Sequence, residues 1–140
     1  MEQWKRGAHG NTFGGNPICC AAALATLDLV HGEYAANAAQ VGDYFLARLR
    51  DLQQQFPCMG DVRGKGLMIG VELITDPTSR QPATALCQRL LTRAFHNGLL
   101  LLSCGVSTLR LIPPLMVSRA QVDEALVLLQ VALKEALAAA

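Results

Sequence analysis

From Ile18 to Val30 the chain is apolar apart from Thr26 and Asp28, and this run limits the fold more than any other stretch. It falls short of the roughly 20 residues needed to cross a bilayer, so it reads as a helix intended for burial on most faces. Asn16 is a good N-cap, and Pro17 suits the first helical position, where a missing N–H is harmless. Being apolar on every side, the helix is over-buried for a domain of this size. It calls for a neighbour, either another part of the chain or a second subunit.

The segment leading into that helix, His9-Gly-Asn-Thr-Phe-Gly-Gly-Asn-Pro17, is the richest in chemical meaning. Gly14 and Gly15 let the backbone turn tightly and approach a ligand with no Cβ in the way. Amides at a helix start, at the positive end of its dipole, form a natural anion site. Thr12 adds a hydroxyl able to donate to a phosphate oxygen. An ordinary glycine turn before a capped helix explains the same residues, and short motifs are only hypotheses. No G-x-G-x-x-G or Walker sequence is present, and Leu67 follows Arg63-Gly64-Lys65-Gly66 where a P-loop needs Ser or Thr.

With 140 residues, 51% of them hydrophobic and only 16% charged, the chain is one ordinary domain with a real core. A formal net charge of +1 gives no reason to expect nucleic acid or a membrane surface. The N-terminus has no signal-peptide pattern. Five cysteines (Cys19, Cys20, Cys58, Cys87 and Cys104) include no C-x-x-C pair, which speaks for a reduced, cytoplasmic setting and against zinc or any other metal.

The pattern predicts an α+β order: two N-terminal helices, then a small, mostly antiparallel sheet packed with two helices. Helix one covers about Pro17–Val30. Helix two covers about Ala35–Phe56, with Ala38, Val41, Phe45, Leu49, Leu52 and Phe56 at helical spacing. Leu67–Leu73 alternates as a strand, a third helix runs from Ala83 to His96, and short strands are expected at Leu99–Ser103 and Thr108–Ile112. Ser118 and Gln121 form a capping box for the last helix, whose stripe is Val122, Leu126, Leu129, Leu133 and Leu137.

No catalytic set assembles from residue types alone. His31 and His96 fall near expected helix C-termini, where a charge offsets the dipole; His9, beside the glycine loop, has a modest functional claim. Of the lysines, Lys5 precedes the loop, Lys134 lies on the last helix, and Lys65 sits between two glycines. Arg110 points opposite to Leu109 and Leu111 on its strand. Its fork suits a planar carboxylate, and a salt bridge to Glu72 or another exposed carboxylate explains it equally.

Three stretches carry a family resemblance. Gly-Ala-His-Gly-Asn-Thr-Phe-Gly-Gly-Asn-Pro at 7–17 resembles a segment of the class III aminotransferases, which use pyridoxal 5′-phosphate (PLP). Residues 61–73, from Asp61 to Leu73, resemble the strand entering that family's C-terminal domain, and Arg110-Leu-Ile-Pro-Pro-Leu115 resembles its late arginine motif. The nearest resemblance is to 4-aminobutyrate and acetylornithine aminotransferases.

The resemblance implies that residues 1–34 end the PLP-binding large domain of a fold-type I enzyme and that 35–140 form its small C-terminal domain. Thr12, Gly14 and Gly15 would reach the PLP phosphate across a homodimer interface. Arg110 would pair with an active-site glutamate or with the α-carboxylate of a dicarboxylic substrate. The Schiff-base lysine belongs upstream of the threonine motif, and none of Lys5, Lys65 and Lys134 occupies its position. The implied chain is thus the C-terminal fragment of a longer transaminase that moves an amino group from an amine or ω-amino acid to a 2-oxo acid such as 2-oxoglutarate, and is inactive alone. Alternatives are a stand-alone, non-catalytic interaction or regulatory module derived from the family, or a PLP aminomutase or decarboxylase on the same scaffold.

Overall fold

The computed structural model describes Lys5, Gly7 and residues 10–139. Two compact units divide the chain, Met1–Glu33 and Tyr34–Ala140. In the first, helix α1 spans Pro17–Leu29 and starts as its cap residues dictate: Asn16 Oδ1 accepts from the amides of Ile18 and Cys19, and Pro17 follows it. The expected burial is absent. No residue of α1 is buried, and Ile18, Leu24, Leu27 and Leu29 are exposed. The neighbour that this helix calls for is not found among the described residues of its unit.

Helix α1 ends at Leu29 with Val30 as its cap, close to the expected bound. Gly32 does not take the left-handed conformation that closes helices, and a π-helical turn, Val30–Tyr34, leads on into α2, Ala35–Gln55. His31 lies in this π-helical turn, next to the Val30 cap of α1.

The second unit is built on the inner face of α2, where Val41, Phe45, Leu46, Leu49 and Leu52 are buried. Phe56 continues this face just past the helix, and Ala38 packs at its margin. Next comes a hairpin of β1, Met59–Lys65, and β2, Met68–Leu73. The stretch 61–73, which resembles a single entering strand, is thus two strands joined at Gly66-Leu67. The alternating pattern marks β2 alone; β1, Met-Gly-Asp-Val-Arg-Gly-Lys, carries two glycines and three charges, a composition depleted in strands. Gly60 sits at a register irregularity, where a Cβ would run into the Ile74 side chain.

Helix α3, Thr84–His96, ends at its expected stop, with Asn97 as cap and Gly98 next. Strand β3, Leu102–Cys104, starts later than the leucine run suggests, because only these residues find partners on β4, Thr108–Leu111. All pairings are antiparallel, in the order β1-β2-β4-β3.

Helix α4, Arg119–Ala138, opens with the capping box intact: Gln121 N donates to Ser118 Oγ, and Ser118 N donates to Gln121 Oε1 at 3.0 Å. Val122, Leu126, Leu129 and Leu133 are buried as expected, but Leu137 is exposed and Ala136 is the buried residue in that last turn. Steps of three and four do not track 3.6 residues per turn indefinitely, so the stripe drifts off the core.

One sheet face, carrying Val62, Ile69, Val71, Leu73, Leu109 and Leu111, is buried with α2, α3 and α4 in the core. Asn37 Nδ2 donates to the carbonyls of Leu115 and Val117 at 2.7 and 3.1 Å, tying the start of α2 to the entry of α4. Tyr44 Oη donates to Asp123 Oδ1 at 2.6 Å, joining the same two helices farther along.

Candidate functional site

Thr12, Gly14 and Gly15 share one turn. Asn11 organises it: its side-chain oxygen accepts from the Phe13 amide at 3.0 Å, and its carbonyl accepts from Gly14 N at 3.1 Å. The Phe13 carbonyl then accepts from Asn16 N at 3.1 Å. Gly15 lies at φ +79°, a conformation that an L side chain rarely adopts, and open space surrounds it.

These bonds decide which donors remain. The amides of Ile18 and Cys19 go to Asn16 Oδ1, and Cys20 N goes to the Asn16 carbonyl. The helix start therefore does not supply the free amides expected of it, because the cap side chain has taken them. Gly14 N is also engaged, so Gly14 shapes the turn instead of donating. Among the described residues, the amides of Thr12 and Gly15 and the Thr12 hydroxyl have no hydrogen-bond partner, and both residues are exposed. Three donors in one open turn suit a phosphate group. His9 lies outside the described residues.

Arg110 belongs to the second unit. Leu109 and Leu111 are buried and Arg110 is exposed, the alternation expected of β4. It lines the rim of a cleft of about 560 Å³ whose other walls are apolar, among them Phe45, Leu101, Ile112 and Leu129. Among the described residues no carboxylate lies within ion-pair distance of Arg110. The expected salt bridge to Glu72 is not formed; Glu72 lies instead beside another cation. Arg63 Nη1 stands 2.6 Å from Asp61 Oδ2 and 3.5 Å from Glu72 Oε2. The hydrogen bond from Arg63 to Asp61, reinforced by the charges of both acids, pushes the guanidinium pKa above its ordinary value despite some desolvation.

Register places these residues in order. Arg63 pairs with Gly70, and Gly70 with Arg110, so one row crosses β1, β2 and β4 on the outer sheet face. The adjacent row is Asp61, Glu72 and Thr108. Pattern analysis missed Arg63 because its strand was hidden; the outward position of Glu72 on alternating β2 was the only available signal.

Lys65 ends β1 in an exposed position and Lys134 is exposed on α4. No group of three or more His, Cys, Asp or Glu residues able to hold a metal ion occurs among the described residues. All five cysteines are free thiols. Among those residues, no helix is long and apolar enough to cross a membrane.

A family model described as Aminotransferase class-III matches residues 1–133. The chain belongs to the class III aminotransferases. Ornithine aminotransferase of Bordetella pertussis is 46% identical over 118 residues, 84% of this chain and 26% of that protein. 4-Aminobutyrate aminotransferase of Mycobacterium bovis is 41% identical over 123 residues, 86% of this chain and 27% of its own length. An isoleucine 2-epimerase of Lentilactobacillus buchneri is 38% identical over 127 residues, 90% of this chain and 28% of that protein. The chain therefore spans about a quarter of the length of these curated relatives. Among solved structures, a Bacillus anthracis aminotransferase superposes with TM-score 0.85 at 32% identity, over 91% of this chain and 30% of that one. The PMP-bound aminotransferase of Vibrio fluvialis gives 0.84 at 31% identity, over 94% and 29%.

Proposed function

We propose that the chain is the C-terminal part of a PLP-dependent transaminase. It would act on an amine or ω-amino acid of the 4-aminobutyrate or N-acetylornithine type, with a 2-oxo acid such as 2-oxoglutarate as acceptor. The turn carries this proposal: in a chain of this family, the amides of Thr12 and Gly15 and the Thr12 hydroxyl have no hydrogen-bond partner among the described residues. Thr12 and Gly15 donate to the cofactor phosphate of a partner subunit, and Gly14 sets the turn that lets them approach. Residues 1–34 belong to the large domain and 35–140 to the small one, in a homodimer working in the reducing cytoplasm that free thiols suit.

The bound cofactor supplies the electron sink for the reaction. Arg110 supplies orientation. On an open sheet face, with no ion pair among the described residues, its guanidinium receives the α-carboxylate of a dicarboxylic substrate or an active-site glutamate in its place. None of the chain's three lysines matches the family's lysine position, so the 140-residue chain alone turns over no substrate. Incubation with PLP, 4-aminobutyrate and 2-oxoglutarate gives no glutamate; steady production overturns this part of the proposal.

The turn is tested in the longer protein. Thr12→Ala loses a charge-assisted hydrogen bond and weakens cofactor retention by about 1.5–3 kcal/mol. Cofactor absorbance after dialysis reads the loss, and unchanged retention counts against the assignment. Similarity to an isoleucine 2-epimerase favours a second possibility, inversion at an α-carbon. Chiral analysis of the amino acids after reaction separates the two.

A further inference from the structure

Asp61 and Glu72 are register partners on neighbouring antiparallel strands, with both side chains on the outer sheet face. Like charges placed directly opposite each other repel. Arg63 resolves that repulsion by reaching both carboxylates, at 2.6 and 3.5 Å. Glu72 is also the register partner of Thr108, two residues before Arg110 on β4. This diagonal separation is within reach of long side chains. Gly70, directly opposite Arg110, puts no side chain between them.

Among the described residues Glu72 thus has two arginines available, one on either side, and pairs with Arg63. We infer that Arg63 is a positioning residue: by holding Glu72 on the β1 side, it keeps Arg110 free to receive a substrate carboxylate. Without Arg63, repulsion from Asp61 drives Glu72 toward β4, where Arg110 becomes its counter-ion and the carboxylate-binding position is occupied from within the chain. The consequence for substrate rests on the role proposed above for Arg110; the exchange of ion pairs does not.

The experiment follows phenylglyoxal modification of Arg110 in the 140-residue chain, quantified by peptide mass spectrometry, so that no cofactor or turnover is needed. In Arg63→Gln the rate at Arg110 falls about two- to fivefold, as the strength of an exposed ion pair dictates. Arg63→Gln/Glu72→Gln returns it to the wild-type rate, and Glu72→Gln alone leaves it unchanged. Raising salt restores the rate in Arg63→Gln, because screening releases an exposed pair; a purely structural effect would not respond this way. Arg63→Met serves if Arg63→Gln does not fold. An unchanged rate in the folded Arg63 variant, or no recovery in the double variant, overturns the inference. Succinate protects wild-type Arg110 from the reagent if its carboxylate role is right. Failure of that arm alone counts against the proposed function and not against the part played by Arg63.

Discussion

Gly42 of α2 lies directly against Gly66 in the turn between β1 and β2. A Cβ on Gly42 would overlap the Gly66 carbonyl group and come within 2.6 Å of its Cα. Helix and hairpin therefore meet backbone to backbone.

This contact makes Gly42→Ala destabilising, although alanine is the better helix former by about 1 kcal/mol. Backbone on both sides must separate, and overpacking of this kind costs on the order of 1–3 kcal/mol. The denaturant midpoint falls while the slope stays unchanged.

Tyr44 and Asp123 give a pH-dependent contribution. The hydrogen bond to Asp123, then burial, then the Asp123 charge raise the Tyr44 phenol above its ordinary value of 10.0. A raised folded-state pKa means stability that is complete below the ordinary tyrosine range and lost as pH rises through the raised value. Tyr44→Phe is therefore less stable than the wild type at neutral pH, and the difference shrinks in alkali. Thermal melts of both proteins across that range check it.

Cys58 and Cys87 stay protonated longer than ordinary thiols, chiefly because burial disfavours the thiolate. Cys19, Cys20 and Cys104 are exposed. Iodoacetamide labels these three first in the native chain, and Cys58 and Cys87 become equally reactive only after unfolding. Early labelling of Cys87 would contradict its burial on α3.

Arg110→Ala in the longer protein impairs the half-reaction with a dicarboxylic acceptor more than the half-reaction with the amino donor. The expected loss is about 1.5–3 kcal/mol, typical of a hydrogen bond to a charged group. Single-turnover kinetics for each half separate the outcomes; equal losses in both indicate a structural role.

Local signals carried much of the fold. Asn16-Pro17 and Ser118 with Gln121 start their helices as expected, because a cap needs only neighbours a few residues away. The faces of α2 and α4 followed from helical spacing, except where Leu137 drifted off the core. Strand β1 was not visible by pattern. Its glycines answer to the Gly64 contact with β2 and the irregularity at Gly60, which are long-range demands with no periodic trace.

By itself, the amino-acid sequence determined the helices, the outward side of Arg110 and the resemblance in residues 7–17, since each depends on local spacing or residue type. Only the tertiary structure decided which partners the polar groups take. Arg63, brought beside Glu72 by strand register, claims the carboxylate that spacing alone would have offered to Arg110. Ion pairs and hydrogen bonds are competitive, and competition is settled by distance in the folded chain.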